Sequence, residues 1–179
     1  MLINNIRNDA VISDFICQEC KENDIQAAID LAINSDDIVI VKIDDFYNAR
    51  VRRPDCSPDC LIIQRCRDRT FNIYIVELKN INSPKKFTVE NIVEKFNTCL
   101  GDFMSVRFAN YFHSGDIDIQ NISLLFISDP YHFKKNPRKQ DYMRGHKIDA
   151  LLSQRIPKYF SKHLYIEYKV PNPTIKKCS

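Results

Sequence analysis

Pro58-Asp59-Cys60-Leu61-Ile62-Ile63-Gln64-Arg65-Cys66, then the polar turn 67–70, then Phe71-Asn72-Ile73-Tyr74-Ile75-Val76-Glu77-Leu78-Lys79: this stretch decides the fold. Both runs are rich in β-branched and aromatic residues, and the link between them is short enough to predict an antiparallel hairpin. Such a hairpin brings its far ends together, so Asp59 is expected beside Glu77 and Lys79. Side chains alternate along a strand. Ile73, Ile75, Glu77 and Lys79 therefore share one face, and Tyr74, Val76 and Leu78 take the other. Both faces are apolar, which predicts a central strand covered on each side. Two acids and a lysine at one end of a buried strand are costly unless something pairs them. A divalent cation held by Asp59, Glu77 and the Leu78 backbone carbonyl would do so, and oxygen ligands with open water positions suit Mg2+.

Working outward, Asp37–Ile43 reads as another buried strand, and 44–58 as a polar loop. Upstream, Ser13 or Asp14 is read as capping a short helix through Lys21. Asn23-Asp24 is read as opening a second helix, whose apolar face is Ile25, Ala28, Ile29, Ala32 and Ile33. Downstream, apolar positions from Val89 to Tyr111 follow the 3.6-residue period of one long helix. Ile122–Ser128 is a fourth strand, stopped by Asp129-Pro130. Residues 131–147 form a basic loop, 147–156 a helix ended by Pro157, and 163–170 a last strand. The expected class is α/β: an α-β-β-β-α-β core over about 10–130, with a mixed central sheet flanked by helices. A C-terminal extension, 131–179, adds a helix and a strand, and the whole of 1–179 is expected to form one domain.

Composition narrows the function. Three glycines among 179 residues leave no Gly-rich phosphate loop, and no Gly-x-Ser-x-Gly or His-Glu-x-x-His motif occurs. No apolar run approaches the ~20 residues of a membrane span, and no secretory leader is expected at the start. Charge is unevenly spread: residues 1–45 carry three basic and ten acidic side chains, residues 46–179 twenty-three and thirteen. A basic field of that extent favours a polyanion, and nucleic acid is the commonest. A solvated Lys/Arg surface is the alternative. The seven cysteines, with no leader in view, are expected to be reduced thiols in a cytoplasm. Cys17, Cys20, Cys56 and Cys60 could together form a four-thiolate zinc or iron–sulfur site. The wide separation of the two pairs and the apolar face shared by Cys20 favour buried free thiols instead.

Pro58-Asp59, the 18-residue interval and Glu77-Leu78-Lys79 together resemble the signature of the PD-(D/E)xK nuclease superfamily, the restriction-endonuclease-like fold. Each part falls in the element the signature requires. The resemblance implies a Mg2+-dependent endonuclease, with Mn2+ as a substitute, acting on DNA in preference to RNA. A small type II restriction enzyme working as a homodimer is the subtype named first. A structure-selective resolvase, a viral-type RNA endonuclease and an inactive nucleic-acid-binding module stay open. Asp59 and Glu77 would hold the metal, and Lys79 would stabilise the attacking hydroxide or the developing charge. Many family members add an acid from the first helix; Glu19 and Glu22 are the candidates, with Glu22 preferred. Asp55 competes with Asp59 for the metal role, and Asp44 and Asp45 lie near enough to stand behind the ligands. Nucleic-acid contacts are expected from Arg50, Arg52 and Arg53, and from Lys134, Lys135, Arg138, Lys139 and Arg144 of the 134–147 loop.

Overall fold

The computed structural model describes residues 2–50, 56–80, 88–129, 155–159 and 162–178. In chain order its elements are α1 (Leu2–Arg7), a 3-10 turn (Ile12–Phe15), β1 (Ile16–Cys17), β2 (Cys20–Glu22) and β3 (Ile25–Ile29). Next come a second 3-10 turn (Ser35–Asp37), β4 (Ile38–Lys42), α2 (Ile43–Arg50), β5 (Cys60–Arg67) and β6 (Thr70–Lys79). Then follow α3 (Val89–Asn97), a π-helical segment (Thr98–Arg107), α4 (Ala109–Phe112), β7 (Asp118–Ser128), β8 (Arg155–Tyr159), β9 (Lys162–Lys169) and β10 (Thr174–Ile175).

The result is an α/β fold around a mixed seven-stranded sheet of order β1-β4-β5-β6-β7-β9-β8. The hairpin of β5 and β6 stands at its centre, with Cys60 opposite Val76 and Ile63 opposite Ile73. Strand β7 lies parallel to β6, Glu77 level with Phe126 and Lys79 with Ser128. A parallel neighbour demands a crossover connection, and the helical run 89–112 lies within it. Alternation along the strands separates two cores. Val39, Val41, Leu61, Ile63, Ile73, Ile75, Leu124 and Phe126 meet the helices, while Ile40, Ile62, Val76, Leu78, Leu125 and Ile127 meet β2, β3 and β10.

That second cover corrects the expectation of helices over both faces. The segments 13–21 and 23–33, read as helices, supply the strands β1, β2 and β3 instead. Asn23-Asp24, read as a helix start, is the two-residue turn between Glu22 and Ile25, with Asn23 at φ 53°. Asn tolerates that left-handed conformation and is favoured in such hairpin turns. Strands β2, β3 and β10 form a separate small sheet, and Cys20, Ile25 and Ala27 bury themselves against the large one. The 44–58 loop begins instead with helix α2. Ile43, Phe46 and Tyr47 recur at helical spacing and are buried, and Asp44 and Asp45 favour its positive N-terminal end.

The long helix is interrupted. After α3 the chain widens into the π segment, where Ser105 Oγ bonds the Leu100 carbonyl and Cys99, Leu100, Phe103 and Met104 are buried. Phe46 packs edge-on against Phe15, Tyr47 and Phe103, and the Tyr47 hydroxyl donates to Asp102 at 2.6 Å, fastening α2 to this segment. The end of the helix expected at 147–156 is also different, since Arg155 and Ile156 lie in β8; residues 147–154 lie outside the described residues. Strand β8 is the sheet's edge, where Pro157 is tolerated.

The cysteines depart from the reduced state expected of them. Cys20–Cys60 and Cys66–Cys178 are disulfides, with Cα atoms 6.0 and 5.3 Å apart, and Cys17, Cys56 and Cys99 are free thiols. With Cys20 and Cys60 bonded to each other, the four-thiolate arrangement has no pairs left to form it. Among the described residues, no helix is long and apolar enough to cross a membrane.

Candidate functional site

Three chain segments meet at one end of the large sheet: the β4–α2 junction, the start of β5 and the end of β6. The Ile43 N–H donates to the Asp59 carbonyl at 3.0 Å, and the Leu78 N–H donates to Asp59 Oδ2 at 2.6 Å. Asp59 is thus fixed by its backbone to the first turn of α2 and by its carboxylate to the strand that carries Glu77. The sequence expectation that Asp59 stands beside the Glu77-Leu78-Lys79 triplet is met.

Glu77 continues the row of Ile73 and Ile75 on the helix-covered face, and its side chain is 1% exposed. Burial, reinforced by the charge of Asp59, pushes its carboxyl up to about 8, against the opposing pull of Lys95 and Lys79. Its Oε1 accepts from Lys95 Nζ at 2.7 Å, and its Oε2 is buried with no hydrogen-bond partner among the described residues. Lys95 comes from α3, the helix that roofs this face. Burial works against its ammonium, but the charge and hydrogen bond of Glu77 outweigh burial and hold its pKa above the ordinary lysine value. Sequence reading missed Lys95. It follows Ile92 by three residues and precedes Phe96, so its place at the edge of the apolar stripe was the available signal.

Among the described residues, two more buried oxygens at this end of the sheet lack partners: Asp44 Oδ1 in the first turn of α2, and Ser128 Oγ, level with Lys79 on β7. Asp44 is half-buried, and burial, then the charges of Asp59 and Asp45, push its carboxyl up to about 6. Lys79 is half-buried on the face of Glu77. Among the described residues no three His, Cys, Asp or Glu side chains converge on one point. What the site offers a cation is oxygen donors: Glu77 and Asp44, each with one buried oxygen unsatisfied among the described residues, and Asp59, whose charge acts on both. That donor set fits Mg2+ or Mn2+.

Glu22 departs from its expected role. It lies on β2 rather than on a helix, is exposed, and belongs to the small sheet over the opposite face from Glu77. Glu19 likewise lies between β1 and β2. Arg50 ends α2, bonds Asp14 at 2.7 Å and covers the Phe15 ring. Asp55, Arg52, Arg53, Lys134, Lys135, Arg138, Lys139 and Arg144 lie outside the described residues.

A scan of protein families, a search of curated proteins and a search of solved structures each found no match to this chain.

Proposed function

We propose that this chain is a Mg2+-dependent endonuclease of PD-(D/E)xK type that hydrolyses phosphodiester bonds in DNA, with Mn2+ as a substitute metal. One observation carries the reading: a fully buried strand carboxylate, Glu77, keeps one oxygen without a partner among the described residues, beside a second carboxylate, Asp59. An oxygen left unsatisfied in a buried position costs stability, and such costs concentrate at sites that bind something.

Asp59 and Glu77 would hold the ion, with the Leu78 carbonyl as the third donor. The bound ion supplies Lewis-acid polarisation of the phosphate and lowers the pKa of a coordinated water. Asp59 is kept in place by the Leu78 N–H, so its free oxygen is presented in a fixed direction. Lys79, on the same face and at the partly exposed end of the strand, can donate to a phosphate oxygen. The excess of basic side chains over 46–179 would attract the polyanion. Restriction-type cleavage by a homodimer is the finer part of the same proposal.

Lys95 favours one competing reading. A lysine bonded to Glu77 is also what a binding module without turnover would use to neutralise a buried acid. Supercoiled plasmid, linear duplex and single-stranded RNA incubated with Mg2+, Mn2+ or EDTA separate the two. Metal-dependent nicking or discrete DNA fragments, lost in Lys79→Ala, are expected. Cleavage of RNA alone would replace the DNA reading. Binding with no cleavage in any metal would leave a module held together by the Glu77–Lys95 pair.

A further inference from the structure

We infer that Cys17 is an exchange thiol for the Cys20–Cys60 disulfide, so that the bond between the two sheets can pass to Cys17–Cys20 and leave Cys60 free. Nuclease activity plays no part in this. Both disulfides fasten the small sheet to β5. Cys20 on β2 bonds Cys60 at the start of that strand, and Cys178, just beyond β10, bonds Cys66 near its end. Strands β2 and β10 are the outer strands of the small sheet, so it is clasped at both edges. Exchange at Cys20 opens one clasp and keeps the other.

Register puts Cys17 on the same side of the large sheet as that bond. Cys17 lies opposite Ile40, and Cys60 opposite Lys42 two residues along β4, so both cysteines stand on the face that the small sheet covers. Cys17 packs against the buried cluster that holds Cys20 and Cys60. Only Gln18 and Glu19 separate Cys17 from Cys20, the Cys-x-x-Cys spacing that suits thiol exchange. The chain turns back there, and the Cys17 thiol donates at 3.2 Å to the Glu19 carbonyl, the group bonded to the Cys20 nitrogen. Cys20 and Cys60 are 0% exposed, whereas Cys17 is half-buried and lines an open cavity of about 490 Å3 with Gln18, Ile29 and Ile38. Burial holds the Cys17 thiol above its ordinary value, against the pull of Lys42, so at neutral pH it rests protonated and the Cys20–Cys60 bond persists. In the exchange the Cys17 sulfur, having lost its proton to water, bonds Cys20 Sγ as the Cys20–Cys60 bond breaks. The electron pair leaves on Cys60, which takes up a proton, so no oxidant or reductant is consumed.

Cys60→Ser tests this on the full chain, by counting the thiols that a maleimide labels in denatured, unreduced protein. With Cys60 gone, Cys20 should bond Cys17, leaving two thiols, those of Cys56 and Cys99, beside the intact Cys66–Cys178 bond. Four reactive thiols, Cys17 and Cys20 among them, would overturn the inference. Reduced glutathione gives a second reading on variants that keep the Cys20–Cys60 bond. Two glutathione thiols reduce the Cys17–Cys20 bond at the cavity wall and leave as glutathione disulfide. Opening of the Cys20–Cys60 bond, followed by labelling of Cys60 in mapped peptides, should therefore slow by about tenfold or more in Cys17→Ser. Cys56→Ser should open at the rate of the wild type. An equal rate in Cys17→Ser and the wild type overturns the inference, as does a wild type in which Cys20 and Cys60 are both unbonded before reductant is added.

Discussion

Lys95 Nζ lies 2.7 Å from Glu77 Oε1, and the two side chains are 18% and 1% exposed. A helix-borne ammonium thus closes over the carboxylate of the strand motif. Glu77 belongs to a row of isoleucines, so without a counter-charge it would sit ionised in hydrocarbon or take up a proton. Lys95 also ties α3 to β6, and so helps fix the roof of the site to its floor.

Removing one partner of this pair should therefore cost more than removing both. Lys95→Met leaves Glu77 uncompensated and is expected to lower stability by about 3 kcal/mol. Combining Lys95→Met with Glu77→Leu should recover most of that loss, because an apolar pair of similar volume suits this face. Urea unfolding of the two singles and the double measures the cycle. A double variant no better than Lys95→Met would show that the pair is not what Lys95 contributes.

Asp9 gives a stability prediction independent of the site. Its Oδ1 accepts from the Val11 and Ile12 N–H groups at 2.8 Å each, and its Oδ2 from the Tyr111 hydroxyl at 2.7 Å. Burial works against the carboxylate, but these three bonds outweigh it and hold the pKa below the ordinary 3.8. A depressed carboxylate stabilises the fold above its unfolded pKa and loses that contribution as pH falls through the folded one. Asp9→Ala should cost about 1–2 kcal/mol at neutral pH. The gap to the wild type should narrow only below about pH 4, as thermal melts from pH 7 to 2.5 would record. A gap that does not change with pH would mean that Asp9 acts through shape and not through charge.

How far the sequence foretold this depended on how local each signal was. The β5–β6 hairpin and the meeting of Asp59 with Glu77 follow from two runs joined by a short turn, where no distant partner is needed. Ile25, Ala28 and Ile29 also match a helical face, and only pairing with β2 and with residues 174–175 makes that segment a strand. The first turn of α2 was hidden by its acids, although Ile43, Phe46 and Tyr47 carry the helical spacing. Lys95 comes from a separate element, so no spacing along the chain links it to Glu77, whereas the end of the strand before Asp44 already placed that acid near Asp59. The disulfide partners of Cys20 and Cys66 lie 40 and 112 residues away. Connectivity of that kind cannot be read from a sequence alone.

Those two disulfides set a count. Denatured without reductant, the protein should expose three thiols to a maleimide, those of Cys17, Cys56 and Cys99. After reduction the full seven should react. The Cys20–Cys60 bridge closes a 40-residue separation and joins the small sheet to the residue after Asp59. Cross-links of this kind are worth about 2–4 kcal/mol, so dithiothreitol should lower the melting temperature. Seven reactive thiols before reduction would return the cysteines to the reduced state that a cytoplasmic setting favours.

Asp59 separates the structural and chemical parts of the site more cleanly than any other residue. Its Oδ2 takes the Leu78 N–H at 2.6 Å, which is a structural duty, while its charge is what a divalent ion requires. Asparagine can perform the first and not the second, since its amide oxygen still accepts from that N–H. Asp59→Asn is therefore expected to unfold within about 1 kcal/mol of the wild type, whereas Asp59→Ala leaves a backbone donor without its partner and should lose about 1–3 kcal/mol. Both should lose metal-dependent cleavage by at least about a hundredfold, the scale seen when a group that stabilises developing charge is removed. Parallel urea melts and plasmid-nicking assays on the two variants check this. If Asp59→Asn cuts DNA as the wild type does, the carboxylate serves only to hold the Leu78 N–H, and the metal must be sought elsewhere.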